Sequence, residues 1–108
     1  MFDHPIAVLA GTPVDTQMGL ECLHRAGLSG LAFPMAEDPR AQTAFQISSP
    51  EEKTAAVLAV LRRARQQGCG RAFIYCNSLS GAVDFLPLAE TTGMRIITPL
   101  DVYRALAP

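Results

Sequence analysis

A chain of 108 residues with nine basic and ten acidic side chains, formal charge −1, is sized for one domain, residues 1–108. Hydrophobic residues make up 49% and charged residues 18%, which supplies a packed core and excludes the composition of a disordered chain. That charge balance argues against a nucleic-acid footprint, and the uncharged stretches Ile6–Pro13 and Ala72–Val83 are too short and too polar to span a membrane, so neither partner is expected.

No basic segment leads into an apolar one at the start, so no secretory signal is read. Three cysteines, an odd count, make no disulfide framework and suit a reducing cytoplasm, the expected location. Ile6–Ala10 is a short run apolar on both faces, the pattern of a buried parallel strand, and it ends at Gly11-Thr12-Pro13. Residues 15–26 follow as a helix with Met18, Cys22, Leu23 and Ala26 on one stripe, stopped by Gly27. On that reading Cys22 belongs to the core. Gly30–Phe33, closed by Pro34, is the second strand. Residues 35–48 show no clear period and read either as a long functional loop or as a short extra helix covering a sheet edge.

A plain helix start comes next, with Ser49 as cap, Pro50 at the first helical position and Glu52 completing a capping box. Thr54, Val57, Leu58, Leu61 and Ala64 line one face, and Arg62, Arg63, Arg65 and Gln66 crowd the end. That cluster reads as a solvated terminus suited to the helix dipole, with a phosphate patch as the alternative. Arg71–Tyr75 is the third strand. A turn is expected after Ser78, then a helix from about Asp84 with Pro87 in its first turn and Gly93 as its stop. Arg95–Thr98 is the fourth strand and Asp101–Ala107 a last short helix. Strands alternating with helices imply right-handed crossovers and an α/β three-layer sandwich. Its small parallel four-stranded sheet is expected in the order 2-1-3-4, the flavodoxin-like topology.

Ligands of open parallel sheets sit beyond the strand C-termini. In the order 2-1-3-4 the first and third strands are neighbours, so Gly11-Thr12 and Cys76-Asn77-Ser78 would face each other there. Cys76 reads either as buried filler or as a reactive thiol whose thiolate gains from the amides of Asn77, Ser78 and the turn beyond. Cys69 sits in a helix-to-strand turn at the opposite end of the sheet. His4 lies at that same end and His24 is mid-helix beside Arg25, so no Cys/His pair forms around Cys76. Metal-ligand spacings such as Cys-x-x-Cys are absent, and no metal site is expected. The Gly11 loop lacks the second glycine and the lysine of a nucleotide P-loop. A Cys-x5-Arg phosphatase loop would need arginine where Ala82 stands.

Ile6–Ala10 with Gly11-Thr12-Pro13, and Phe73-Ile74-Tyr75-Cys76-Asn77-Ser78 followed by a helix and Ile96-Ile97-Thr98-Pro99, resemble the first domain of the aspartate/glutamate/hydantoin racemase superfamily. The likeness spans nearly the whole chain and about half of a family member. Its specific part is the Cys-Asn-Ser segment; Pro13 stands where a glycine belongs in the looser first-loop match. The resemblance implies a cofactor-independent 1,1-proton transfer on an amino acid or small carboxylate, with Cys76 as the acid/base. Gly11, Thr12, Asn77 and Ser78 would hold the substrate carboxylate. Racemases of this kind use two cysteines, and Cys22 and Cys69 are misplaced for the second. A second domain or a homodimer partner is therefore expected to complete the site. Superfamily members also include decarboxylases and cis–trans isomerases. The alternative is a small carboxylate- or phosphate-binding module, sensor or carrier, without turnover of its own.

Overall fold

The computed structural model of the chain describes residues 4–75 and 83–98. Four parallel strands, β1 (Ile6–Ala10), β2 (Gly30–Pro34), β3 (Arg71–Ile74) and β4 (Arg95–Ile97), form one sheet in the order β2-β1-β3-β4. β1 runs through the middle with every residue buried, pairing Ile6 with Gly30 on one side and with Arg71 on the other. β3 then pairs Arg71 with Arg95 of β4. This is the expected α/β sheet, strand order included. The last helix read from the sequence, Asp101–Ala107, lies outside the described residues.

The two faces of β1 feed two cores, because successive side chains point to opposite sides of a strand. Ala7 and Leu9 join Phe33, Ala72 and Ile74 under the helices α3 (Pro50–Gln66) and α4 (Phe85–Thr92). Ile6 and Val8 join Leu23 of α1 (Pro13–Arg25), with Leu20, Phe73 and Tyr75 packed around them. The chain steps one way from β1 to β2 and the other way thereafter, so α1 alone lies on its face among the described helices. That gives three layers of helix, sheet and helix.

Each helix begins where local chemistry says it should. Ser49 accepts from the Glu52 N–H at 3.1 Å while the Glu52 carboxylate accepts from the Ser49 N–H at 3.1 Å, the anticipated capping box. Val57, Val60, Leu61 and Ala64 are the buried face of α3. Full burial of a side chain such as Leu61 or Val57 contributes about 1.5–3 kcal/mol. Asp84 caps α4, Pro87 occupies its first turn where no intrahelical donor is needed, and Gly93 ends it in the left-handed conformation at φ 71°.

Residues 35–48 contain a helix, α2 (Pro39–Gln46), so of the two sequence readings the extra helix is the one found. Asp38 caps it, accepting from the Ala41 N–H at 2.7 Å. None of its residues is fully buried; Phe45 packs against the larger core.

The stripe read for α1 is corrected. The helix starts at Pro13, and its buried residues are Thr16, Gly19 and Leu23. Met18 is 48% exposed, and Cys22 and Ala26 are exposed as well, so Cys22 is not a core residue. The cause is close approach. A Cβ on Gly19 would lie 2.6 Å from Val8 Cγ1 and 3.0 Å from Tyr75 Cβ, so glycine lets the helix sit against β1 and β3. Thr16 fits the same narrow space because its hydroxyl donates to the Thr12 carbonyl at 2.6 Å. Small and internally satisfied residues occupy the place where the hydrophobic pattern puts large ones.

Candidate functional site

The strand C-termini carry the candidate site, and the ladder fixes where its parts begin. Tyr75 N–H donates to the Leu9 carbonyl at 2.8 Å, extending the β1–β3 ladder one residue beyond β3. Met35 N–H donates to the Ala10 carbonyl at 2.8 Å and Ala36 N–H to the Gly11 carbonyl at 3.2 Å, holding the other side of the Gly11 turn. The chain therefore leaves Tyr75 and enters Gly11 on neighbouring strands, at one end of the sheet. Cys76, Asn77 and Ser78 lie outside the described residues.

Gly11 and Thr12 are half-buried. A Cβ at Gly11 would meet nothing within 4 Å, so the turn has open space beside it. Thr12 serves the fold as the N-cap of α1, its Oγ1 accepting from the Asp15 N–H at 3.2 Å and its carbonyl from the Thr16 N–H at 3.0 Å. Pro13 has no N–H, and Asp15 and Thr16 donate theirs to Thr12. Val14 is left as the remaining first-turn donor, less than the full set of helix-start amides an anion site commonly draws on. The Thr12 hydroxyl hydrogen stays available to a ligand.

Charge is unevenly distributed along the strands: Arg40 and Lys53 lie at the strand C-terminal end, but carboxylates outnumber them there. Asp15, Glu37, Asp38, Glu51, Glu52 and Asp84 all lie in the loops or first helical turns beyond the strand C-termini. Carboxylates in first turns are what helix dipoles favour. Asp15 is half-buried one turn from Gly11, and sequence reasoning gives it no role. Its signal was there to read, an acid at the third position of the helix that follows the first strand. Glu52 is held below the usual carboxylate range by the Ser49 backbone amide and then by the Ser49 hydroxyl.

The other two thiols are settled by position. Cys69 is 1% exposed, at the strand N-terminal end as expected, and desolvation pushes its thiol above the ordinary value. Cys22 sits on the solvent side of α1. Neither is at the Gly11 end. Among the described residues there is no group of three or more metal-capable side chains, and no helix is long and apolar enough to cross a membrane. A depression of about 460 Å³ opens on α3, lined by Pro50, Glu51, Thr54, Ala55 and Leu58, and shares none of these residues with the Gly11 turn.

The chain matches no family model, no curated protein and no solved structure.

Proposed function

We propose that this chain is a cofactor-independent racemase- or isomerase-like domain acting on an amino acid or small carboxylate, with Cys76 as its proton-transferring group. The observation that carries the reading is the pairing of β1 with β3, which brings Ala10 and Tyr75, the residues that precede Gly11-Thr12 and Cys76-Asn77-Ser78 in the chain, to the same end of neighbouring strands. An α-proton next to a carboxylate is weakly acidic, so its removal needs oriented donors as well as a base. The Cys76 thiolate takes the proton from the α-carbon. Asn77, Ser78, the Thr12 hydroxyl and the Val14 amide hold the substrate carboxylate. Since helix α1 keeps most of its N-terminal donors for its own cap, Asn77 and Ser78 carry the larger share.

The carboxylates around this end favour a ligand that brings a positive charge, so a zwitterionic amino acid suits the site better than a dicarboxylate. Asp15, one turn from Gly11, pairs with the ammonium group in this reading. Return of the proton on the opposite face requires a second acid, supplied by a second domain or a second subunit.

A lone base still exchanges the α-proton with solvent, so the half-site has its own readout. In D2O, with each of the proteinogenic amino acids in turn, the α-proton signal of at least one is expected to decay. Cys76→Ala is expected to abolish the decay. Decay that survives the substitution, or no decay with any amino acid, contradicts the reading. Ligand binding that Cys76→Ala leaves unchanged, without exchange, is the signature of the non-catalytic anion-binding module.

A further inference from the structure

At the opposite end of the sheet the sign of the charge reverses. Arg25, Arg63, Arg65, Arg71 and Arg95 lie at the strand N-termini or in the last turns of α1 and α3, with Arg62 just before the last turn of α3. The formal charge of −1 conceals this separation.

Two of these arginines occupy a defined position. Arg71 and Arg95 are register partners on the parallel strands β3 and β4, so their backbones run about 4.8 Å apart. Ala72 and Ile96, one residue on, pack into the core beneath α3 and α4. Strand alternation therefore puts both guanidinium groups on the α1 side of the sheet, where Ile6, the β1 partner of Arg71, forms an apolar neighbour. Both arginines are exposed, and neither has an ion-pair or hydrogen-bond partner for its side chain among the described residues. Arg65 differs, since it donates to the Gly93 carbonyl at 3.5 Å. Like charges placed directly beside each other on adjacent strands destabilise a sheet. An oxyanion bridging the two planar forks removes that repulsion and gains charge-assisted hydrogen bonds.

We propose that Arg71 and Arg95 form a binding site for a phosphate-type oxyanion, separate from the Gly11 end and independent of the function proposed there. The site takes a dianion between two forks, and the neighbouring arginines raise its local concentration. Free phosphate and the phosphate of a monoester share this chemistry.

The test is an NMR titration of the full chain with inorganic phosphate and, separately, with glycerol 3-phosphate, using sodium chloride at matched ionic strength as the control. The arginine Nε–Hε signals of Arg71 and Arg95 are expected to shift and saturate. R71Q and R95Q are each expected to weaken binding about tenfold or more, and R71K, which keeps the charge but loses the fork, to fall between. Equal affinity for the two compounds assigns the site to the phosphate group itself; tighter binding of the ester assigns it to a phosphorylated metabolite. R40Q, at the acidic end, is expected to leave binding unchanged. Without phosphate, R95Q is expected to melt higher than the wild type because the repulsion is gone. Shifts that rise linearly and match those from chloride overturn the proposal. So does a double variant R71Q/R95Q, shown folded by its amide spectrum, that binds phosphate as the wild type does.

Discussion

The two faces of the sheet are held by different means. Beneath α3 and α4 the contact is made by large aliphatic side chains, Leu9, Val57, Leu61 and Ile74, all fully buried. Beneath α1 it is made by a helix pressed close, with Gly19 and Thr16 at the seam and Val8 below. The first face is stabilised by the volume of apolar matter removed from water; the second buries a smaller apolar cluster, Ile6, Val8 and Leu23, across a seam that closes only because Gly19 has no Cβ to collide. An aliphatic face loses stability in steps as its side chains are trimmed. A close-approach face tolerates almost any change on its outer side and almost none at the seam.

The largest expected effect is at that seam. Gly19→Val puts its Cβ within 3.0 Å of Val8 and Tyr75 before the γ-methyls are added, and α1 cannot withdraw without losing the burial of Leu23. Urea unfolding is expected to show a loss of several kcal/mol out of the roughly 5–15 typical of a domain, or no folded protein. A variant as stable as the wild type breaks the contrast. On the other face Leu61→Ala is expected to cost about 2–5 kcal/mol in the same assay, with the fold kept.

Smaller again is Ser49→Ala, which removes the hydroxyl half of the capping box for about 1 kcal/mol. The Glu52 half has a pH signature. Its folded pKa is depressed, so its stabilisation is complete above the ordinary glutamate range and disappears as pH falls through the lowered value. Replacing Glu52 by Gln should flatten that part of the acid unfolding curve. Least of all, Met18→Gln and Cys22→Ser on the outer side of α1 are expected to change stability by no more than about 0.5 kcal/mol. A loss of about 2 kcal/mol at either, well beyond the range of exposed positions, would mean that the helix buries its outer stripe after all.

The same contrast explains what could be read from the sequence. α3 was legible because its inward residues are large and spaced at the helical period, and because Ser49, Pro50 and Glu52 mark its start. α4 was legible through Asp84, Pro87 and Gly93, each a local backbone rule. α1 was placed correctly and faced wrongly, since periodicity weighs Met18 and Cys22 above Gly19 and Thr16. Volume cannot announce a seam built from its absence. α2 offers one large apolar side chain that packs, Phe45, and so shows no period, although Asp38-Pro39 repeats the cap signal of Ser49-Pro50. Thr12-Pro13 repeats it a third time. Read that way, Thr12 is the cap of α1 before it is a ligand for anything else. For the candidate site, the neighbouring of β1 and β3, the strands that precede Gly11 and Cys76, followed from strand order, which alternating strands and helices dictate. The carboxylates surrounding it came from separate places along the chain, which only the fold brings to one end.

The proposed chemistry stands on Cys76 being poised as a thiolate at the rim of the sheet, and competitive alkylation with iodoacetamide at pH 7 reads that state out. Cys22 supplies the exposed reference and Cys69 the buried one. A thiol lowered to a pKa near 7 is thiolate for about half of its population at that pH, and its weaker nucleophilicity offsets only part of that gain, so Cys76 should react severalfold faster than Cys22. Cys69 should react last. Labelling of Cys76 at the rate of Cys22 or below would show an ordinary thiol there and remove the base on which proton transfer depends.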